Sequence, residues 1–286
     1  MSLAKNYRSE LVGVFGCPID ENPTGVIEET AFAARGLDYR YITMKVEKGS
    51  LDKAMAALRA MNFRGINLTI PHKVEAVKYV DELSPEAQII GAINVVVNNN
   101  GRLWGDNSDG KGFLKSLIDN GVELEGKTLT VLGAGGAARA IAVECAVHGI
   151  KKIYILNHSG ERGQALAELI SAKTGAEGKF VFWEGKANIP QDTDILVNAT
   201  PVGLYPDTDK KPEINYDSVL PSMTVCDVIF NDPNTLFLKE ASDRGCKTIR
   251  GLEMLVNQGA LNFSLWTGVE APIDVMTTAL KKEFGL

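Results

Sequence analysis

Short apolar runs typical of β-strands alternate with helix-like stretches along nearly the whole chain of 286 residues. Helical stretches such as 51–61 and 138–149 separate most of the strand-like runs. This alternation predicts an α/β fold in which crossover helices connect parallel strands. The predicted strands cover 11–16, 39–46, 65–70, 92–97, 128–133, 152–157, 179–183, 194–199 and 225–230.

One polar passage, NNNGRLWGDNSDGKG at 98–112, interrupts this alternation. Its many turn residues are typical of a domain boundary. We therefore predict a first α/β domain over 1–105, a second over 106–250 and a helical segment over 251–286. A cleft between two such domains is a favoured place for a ligand site.

Composition restricts the class of protein. The net charge of −6 leaves no basic surplus to neutralise phosphates, which argues against a nucleic-acid partner. No apolar run approaches the roughly 20 residues that span a membrane, and the N-terminal MSLAKNYRSE lacks the apolar core of a signal peptide. We expect a cytoplasmic protein without a membrane partner. The four cysteines and three histidines lack ligand spacing, so we expect no metal site.

The segment VLGAGGAARA follows an apolar strand and opens a helix. Gly133, Gly135 and Ala138 fit the pattern G-x-G-x-x-G/A, in which the first glycine allows a tight turn and the second lets the backbone approach a pyrophosphate. The helix start, with Gly136 and Ala137, presents free N–H groups to phosphates. A strand before and a helix after are the context that supports a dinucleotide site.

The next predicted strand ends where the cofactor ribose is expected. NAD enzymes commonly carry a carboxylate at this point. This chain has Asn157 and His158 there, followed by Glu161 and Arg162. The missing carboxylate and the arginine favour NADP, whereas Glu161 leaves NAD open.

The segment NLTIPHK places Lys73 two residues after Pro71, which ends a predicted strand. Asn67 and Thr69 share one face at the carboxyl end of this strand, where open α/β sheets bind ligands. Apolar residues at helical spacing follow, so Lys73 falls in a predicted first helical turn. A cation there opposes the helix macrodipole, which suits a lysine that exchanges a proton. An ordinary surface lysine is the alternative.

The segment GDNSDGKGF places Asp109 just before another predicted helix. A carboxylate at a helix start is stabilised there, and a simple N-cap is one interpretation of this residue. Asp109 also lies at the predicted hinge between the domains, as a proton-transfer partner facing the cleft would.

Six ordered motifs, NLTIPHK, GAIN, GDNSDGKGF, VLGAGGAARA, NATPVG and MLVNQGALNF, resemble the shikimate dehydrogenase family. The resemblance covers almost the whole chain. It implies an N-terminal substrate domain, a Rossmann domain that binds NAD(P), and C-terminal helices that return to the first domain. The implied reaction is the reversible oxidation of shikimate to 3-dehydroshikimate with NADP, or with NAD in some branches. This reaction belongs to aromatic amino acid biosynthesis.

The resemblance also implies residue roles. Lys73 and Asp109 match the pair that moves the hydroxyl proton while hydride passes to the nicotinamide. Thr69, Asn94 and Gln258 match polar contacts to substrate hydroxyls. Gln258 has independent support, because its amide lies in an otherwise apolar helical stripe and needs a partner if buried.

Three further residues match the cofactor site. Thr200 and Val202, in NATPVG, match positions that contact the nicotinamide half of the cofactor. Gly251, where the C-terminal segment begins, is also predicted to contact the cofactor.

The sequence departs from the family where the substrate carboxylate is held. Two serines usually supply hydroxyls there, and Asn22 and Thr24 occupy their positions. Both can donate a hydrogen bond to a carboxylate. The nearby Asp20 and Glu21 would repel one.

A second departure is Phe230, which replaces a tyrosine common in the family. These changes leave quinate, an amino-shikimate or another cyclic polyol open as substrates. A non-catalytic regulator that binds cofactor is less favoured, because such a protein needs no proton-transfer pair. The expected partner is a small cyclic polyol acid, and the chain is expected to be a monomer or a homodimer.

Overall fold

A computed structural model describes residues 7–232 and 234–286 of the chain. These residues fall into two compact units. The first unit comprises the described residues up to Asp106 together with Gly259–Leu286, and the second unit is Asn107–Gln258. The predicted α/β fold class is confirmed by two six-stranded sheets with connecting helices.

The first unit is built on a mixed sheet in the order β2-β1-β3-β5-β6-β4. β1 pairs with β2 and β3 in parallel, but β5 runs antiparallel to both β3 and β6, so the expectation of a wholly parallel sheet is wrong here. Its elements are β1 (Glu10–Gly16), α1 (Thr24–Arg35), β2 (Tyr39–Lys45), α2 (Leu51–Ala60), β3 (Gly65–Leu68), β4 (Glu82–Leu83), α3 (Pro85–Ile90), β5 (Val95–Asn99) and β6 (Arg102–Asp106).

A tight hairpin causes the antiparallel pairing. Asn100 and Gly101 have φ angles of 55° and 94°, the left-handed conformation that a two-residue hairpin turn requires. The Gly101 N–H donates to Asn98 Oδ1 at 2.7 Å. The passage interpreted as a turn-rich boundary therefore contains strand β6.

The helix predicted to follow Pro71 does not form. Residues 71–74 make turns, and only a short 3-10 helix, Glu75–Tyr79, follows. The Lys73 carbonyl accepts the Ile93 N–H at 2.8 Å, so an atom that a helix would need is taken by a distant part of the chain. Lys73 is thus outside any α-helix, and the macrodipole argument for it fails.

The second unit has an entirely parallel sheet in the order β14-β13-β11-β7-β8-β9. Counted within the unit, this is the 3-2-1-4-5-6 order of the Rossmann fold. Its elements are α4 (Ser108–Asp119), β7 (Thr128–Leu132), α5 (Gly136–Val147), β8 (Lys152–Asn157), α6 (Gly160–Lys173), β9 (Glu177–Phe182), β10 (Ala187–Asn188), β11 (Ile195–Asn198), β12 (Ile214–Asn215), β13 (Thr224–Asp227), α7 (Leu236–Asp243) and β14 (Lys247–Ile249).

The last two helices are α8 (Gly251–Thr267) and α9 (Ile273–Glu283). The unit boundary falls within α8, between Gln258 and Gly259. In the first unit, the Trp266 indole donates to the Val96 carbonyl at 3.0 Å and Phe263 stacks on Phe32 at 5.4 Å. The chain from Gly259 onward thus belongs to the first unit, whereas Gly251–Gln258, predicted to return with it, belongs to the second.

Candidate active-site regions

A cavity of about 1110 Å³ lies in the second unit, next to the ends of β7 and β11. The strand order reverses between these two strands, and ligands of open α/β sheets bind at such a point. Most of the predicted cofactor residues line it, namely Gly133, Gly135, Asn157, His158, Arg162, Thr200 and Val202.

The remaining predicted cofactor residues are not part of its lining. Gly136 and Ala137 begin α5 directly after Gly135. Gly251 begins α8, where an added Cβ would lie 2.3 Å from the Ile229 carbonyl oxygen. Close backbone packing in the second unit therefore explains the glycine at 251 without a ligand.

The glycine turn after β7 has the shape that a pyrophosphate needs. Gly133 has φ of 106°, and a Cβ there would lie 3.1 Å from the Ala199 carbonyl oxygen. Gly135 has nothing within 4 Å of its Cβ position, so a ligand can approach its backbone closely. Gly135 is also the N-cap of α5 and supplies no side-chain acceptor, which leaves first-turn N–H groups available to phosphate oxygens. These residues fit a dinucleotide cofactor.

Residues at and just after the carboxyl end of β8 also line the cavity. Asn157 is buried, and its Nδ2 donates to the Ser159 carbonyl at 2.9 Å. The His158 ring stacks on Trp183 with 4.5 Å between ring centroids. His158 Nδ1 donates to the Trp183 carbonyl at 2.8 Å, which fixes the ring, and Arg162 is exposed beside it.

Four basic side chains that belong to none of the sequence motifs also line the cavity: Lys186, Lys210, Lys211 and Arg244. Lys211 pairs with Glu240 and lies 4.6 Å from the centre of the Tyr216 ring. Arg244 Nη1 contacts Glu240 Oε2 at 2.8 Å. In the sequence, only the adjacency of Lys210 and Lys211 indicated a basic site in this part of the chain. Basic side chains around such a cavity suit an anionic cofactor.

The NATPVG loop is held by Asn198. Its Oδ1 accepts hydrogen bonds from the Thr200 N–H at 3.1 Å and the Thr200 hydroxyl at 2.6 Å. Its Nδ2 donates to Asp227 Oδ1 at 3.0 Å and to the Val202 carbonyl at 3.2 Å. One buried amide thus positions both residues predicted to contact the nicotinamide half.

Asp227 anchors that amide. Its carboxylate also accepts the Thr235 hydroxyl at 2.7 Å and the Ile229 N–H at 3.1 Å. Burial raises the pKa of Asp227 to about 7, and the hydrogen bonds from Thr235, Ile229 and Asn198 oppose this rise.

In the first unit, backbone bonds gather Thr69, Lys73 and Asn94 near the carboxyl end of β3. The Thr69 N–H donates to the Phe15 carbonyl at 3.0 Å. The Asn94 carbonyl accepts the N–H of Leu68, the last residue of β3, at 2.8 Å. The N–H of Ile93, the residue before Asn94, donates to the Lys73 carbonyl at 2.8 Å. Asn94 is buried, and Lys73 is half-buried.

Asn22 and Thr24 lie at the start of α1, in the same unit. Asn22 Oδ1 accepts the Thr24 N–H at 3.0 Å. Thr24 is buried, and in the same unit the Tyr41 hydroxyl donates to Asn67 Oδ1 at 3.0 Å.

The other two predicted site residues belong to the second unit. Asp109 lies in the first turn of α4, but the N-cap is Asn107, whose Oδ1 accepts the Asp109 N–H at 3.2 Å. Asp109 is therefore not a simple cap. Gln258 lies on α8 and is 7% exposed, and its Nε2 donates to the Leu255 carbonyl at 3.2 Å. Both residues thus belong to helices of one unit.

The described residues contain neither a cluster of metal ligands nor a helix that could span a membrane. Over 7–232 and 234–286, no three His, Cys, Asp or Glu side chains come together as metal ligands would. Within the same residues, no helix has the length and apolar character to cross a membrane.

Comparison with known proteins gives consistent matches. A model of the shikimate dehydrogenase substrate-binding domain matches residues 14–96, and a model of the shikimate 5'-dehydrogenase C-terminal domain matches residues 251–281. A shikimate dehydrogenase (NADP(+)) of Desulforamulus reducens is 40% identical over 283 residues, 97% of each chain.

Solved structures agree with this. The ligand-free 5-ketofructose reductase of a Gluconobacter strain superposes with a TM-score of 0.93 at 41% identity, over 97% of this chain and 100% of that chain. Shikimate 5-dehydrogenase from Listeria monocytogenes, in complex with shikimate and NAD, superposes with a TM-score of 0.88 at 33% identity, over 97% and 98% of the two chains. The family predicted from the six motifs is confirmed: the chain belongs to the shikimate dehydrogenase family of NAD(P)-dependent oxidoreductases.

Proposed function

We propose that this chain catalyses reversible hydride transfer between NAD(P) and a secondary alcohol of a shikimate-like polyol. The pair shikimate and 3-dehydroshikimate is the first reaction to test. The observation that carries the proposal is the cavity at the switch point of the Rossmann sheet, where the glycine turn and the NATPVG loop meet. The names of the relatives support the same reaction class.

Lys73 and Asp109 are the proposed proton-transfer pair. A nicotinamide cofactor held by the glycine turn and the NATPVG loop would supply the acceptor for the hydride of the alcohol carbon. Lys73 Nζ takes the hydroxyl proton in the same oxidation, so the alcohol loses two electrons and two hydrogens and becomes a ketone. Asp109 is its proposed partner in moving that proton. Thr69, Asn94 and Gln258 orient the remaining hydroxyls, and the reduction runs through the same groups in reverse.

NADP is the proposed cofactor. Arg162 and Lys186 are exposed basic side chains on the lining of the cavity, close in sequence to the strand ends where a ribose is expected. Two cations there suit a 2'-phosphate better than a bare ribose. NAD remains the second cofactor to assay.

Isosteric variants of the pair test the mechanism. In Lys73→Met and Asp109→Asn, kcat should fall by about 10²–10⁴-fold, because general acid–base catalysis supplies acceleration of that order. The dissociation constant for NADP should stay the same. Lys78→Met is the control, because Lys78 is an exposed lysine five residues after Lys73.

Normal turnover in Lys73→Met would contradict the proton-transfer role. Tight NADP binding without oxidation of any alcohol, including quinate and amino-shikimate, would favour a non-catalytic regulator. A cytoplasmic location and a monomeric or homodimeric state stay predictions.

A further inference from the structure

The ring of His158 has a fixed tautomer. Its Nδ1 lies 2.8 Å from the Trp183 carbonyl oxygen. A carbonyl can only accept a hydrogen bond, so the proton of the neutral ring must be on Nδ1. Nε2 forms no hydrogen bond to a described residue. It is an acceptor while the ring is neutral and becomes a donor once the ring is protonated.

Trp183 holds the ring in this position. The indole is 2% exposed, and its Nε1 donates to the Gly185 carbonyl at 3.2 Å and to the Glu213 carbonyl at 3.0 Å. The imidazole stacks on this fixed indole with 4.5 Å between ring centroids. A flipped ring would turn a carbon to the Trp183 carbonyl, so Nδ1 stays on that side. The Nε2 edge is therefore what His158, an exposed residue of the cavity lining, can offer a ligand.

The place of His158 in the fold decides which group of the cofactor meets it. His158 directly follows Asn157, the last residue of β8. In a Rossmann sheet, the end of this second strand meets the ribose 2' position, which carries a hydroxyl in NAD and a phosphate in NADP. The neutral ring can accept a hydrogen bond from the hydroxyl, whereas only the protonated ring can donate one to the phosphate.

Three other cations of the cavity lining are paired with carboxylates. Lys210 pairs with Asp207 at 2.8 Å. Lys211 and Arg244 both pair with Glu240. Their charge is thus largely compensated before a cofactor binds.

The charged groups around His158 are different. Arg162 and Lys186 line the cavity, and neither forms an ion pair with another described residue. Glu213 also lines the cavity, and Glu161 is exposed next to Arg162 in the chain. A 2'-phosphate would meet two uncompensated cations and one side chain that can gain a charge. The two negative charges of the phosphate would stabilise the protonated form of a neighbouring imidazole.

We propose that His158 selects the cofactor by its protonation state. The protonated ring donates to the 2'-phosphate of NADP, and the neutral ring accepts from the 2'-hydroxyl of NAD. An imidazole changes its charge between about pH 5 and 8. The chain therefore uses both cofactors, and its preference for NADP declines as the pH rises. The inference rests on the proposed function, because it requires that the cavity binds NAD(P).

Calorimetric titration of the cofactor-free protein with NADP and with NAD tests this without a substrate. Between pH 7.5 and 8.5, the ratio of the dissociation constant for NADP to that for NAD should rise at least about fivefold, because a lost hydrogen bond between charged groups weakens binding by tenfold or more. The phosphate itself gains charge above about pH 6. That ionisation alone would strengthen NADP binding to the cations and shift the ratio in the opposite direction.

The protons exchanged on binding give a second measurement. Titrations at pH 8.0 in Tris and in HEPES, whose ionisation enthalpies differ, count these protons. Binding of NADP should take up as much as about one proton per site, because the affinity for the phosphate and that for the proton are linked. Binding of NAD should take up none.

His158→Gln is the test variant, since the glutamine amide can donate and accept but does not titrate. The ratio of dissociation constants should then be the same at pH 7.5 and 8.5, and the proton uptake with NADP should disappear. His148→Gln is the matched control. His148 Nδ1 also lies near a backbone carbonyl, that of Glu144 at 2.9 Å, but the residue is outside the cavity lining. Its replacement should leave both measurements unchanged.

Thermal unfolding shows whether the variants fold. If His158→Gln does not fold, His158→Arg replaces it, and its dissociation constant for NADP should be the same at pH 7.5 and 8.5 because a guanidinium stays charged. A parent ratio that does not change with pH, or a folded His158 variant with the same pH dependence as the parent, would refute this inference alone. Failure of both cofactors to bind at any pH would overturn the proposed function itself.

Discussion

At the scale of single residues, two glycines two positions apart serve different purposes. Gly133 is required by the fold, because its φ of 106° lies in the left-handed region and its Cβ position is 3.1 Å from the Ala199 carbonyl oxygen. Gly135 meets no such restriction, since nothing lies within 4 Å of its Cβ position. A methyl group there is compatible with the folded chain and would interfere only with what binds next to the turn.

Gly135→Ala should therefore affect binding and not folding. We expect the melting temperature to stay within about 1–2 °C of the parent value, because an alanine here meets no neighbour. The dissociation constant for NADP, measured by calorimetry, should rise at least about tenfold, since the added methyl group keeps a pyrophosphate away from the backbone.

Gly175→Ala is the control for this variant. Gly175 also has an unobstructed Cβ position and an ordinary φ angle, and it lies outside the cavity lining. Equal NADP affinity in Gly135→Ala and Gly175→Ala would mean that the cofactor phosphates do not approach the turn.

At the scale of elements, α4 and α8 approach each other closely in the second unit. A Cβ at Gly112 would lie 2.8 Å from both the Gln258 backbone nitrogen and the Met254 carbonyl oxygen. Helices reach such distances only where the residue between them has no side chain. The glycine on α4 thereby fixes the position of α8 at Gln258, one of the predicted substrate contacts.

Gly112→Ala should destabilise the second unit. Forcing a methyl group against backbone atoms costs about 1–3 kcal/mol of unfolding free energy, measured by urea titration. Lys115→Ala on the same helix is the control, because its side chain is exposed and forms an ion pair with Asp119 at 2.7 Å. A Gly112→Ala variant as stable as Lys115→Ala would show that the helices can move apart without cost.

How well each element could be predicted depended on how local its cause is. The parallel Rossmann sheet and its glycine turn follow from short-range patterns, and they form as expected. The apolar spacing after Pro71 predicts an α-helix, but a 3-10 segment forms there instead. The Lys73 carbonyl instead accepts a hydrogen bond from the Ile93 N–H, twenty residues further along the chain. A contact at that separation cannot be predicted from a local pattern.

The passage 98–112, predicted to hold the domain boundary, also contains a hairpin between β5 and β6. The two units do divide within it, between Asp106 and Asn107. The hairpin had a local signal in the dipeptide Asn100-Gly101, a strong turn former, but strand β6 was not predicted. For the candidate site, motif residues could be assigned from sequence. Lys186 and Arg244 could not, because only the tertiary fold brings them to one cavity.

At the scale of the whole molecule, Asp227 links stability to pH. Its pKa of about 7 in the folded chain exceeds the ordinary value of 3.8. Between pH 4 and 7 the folded chain thus holds a proton that the unfolded chain has lost. The contribution of this group to stability is full below about pH 4 and declines until about pH 7, by up to about 4 kcal/mol in total.

Asp227→Asn should flatten this part of the pH profile. Urea unfolding of the cofactor-free protein at pH 5, 6, 7 and 8 measures the slope, and the parent protein should lose stability with rising pH more steeply than the variant between pH 5 and 7. Asp192→Asn is the control, because the hydrogen bond from Lys152 lowers the pKa of Asp192, so it titrates below this range. Parallel profiles for Asp227→Asn and the parent would contradict the raised pKa.

The division of the chain between the two units has a consequence for its synthesis on the ribosome. The second unit is one uninterrupted segment, Asn107–Gln258, whereas the first unit also needs Gly259–Leu286, including the indole of Trp266 that bonds to Val96. The ribosome releases every residue of the second unit before the last part of the first. The residues translated first are therefore the last to complete their fold, because the apolar surface on which Phe263 and Trp266 pack stays uncovered until the C-terminal helices leave the ribosome.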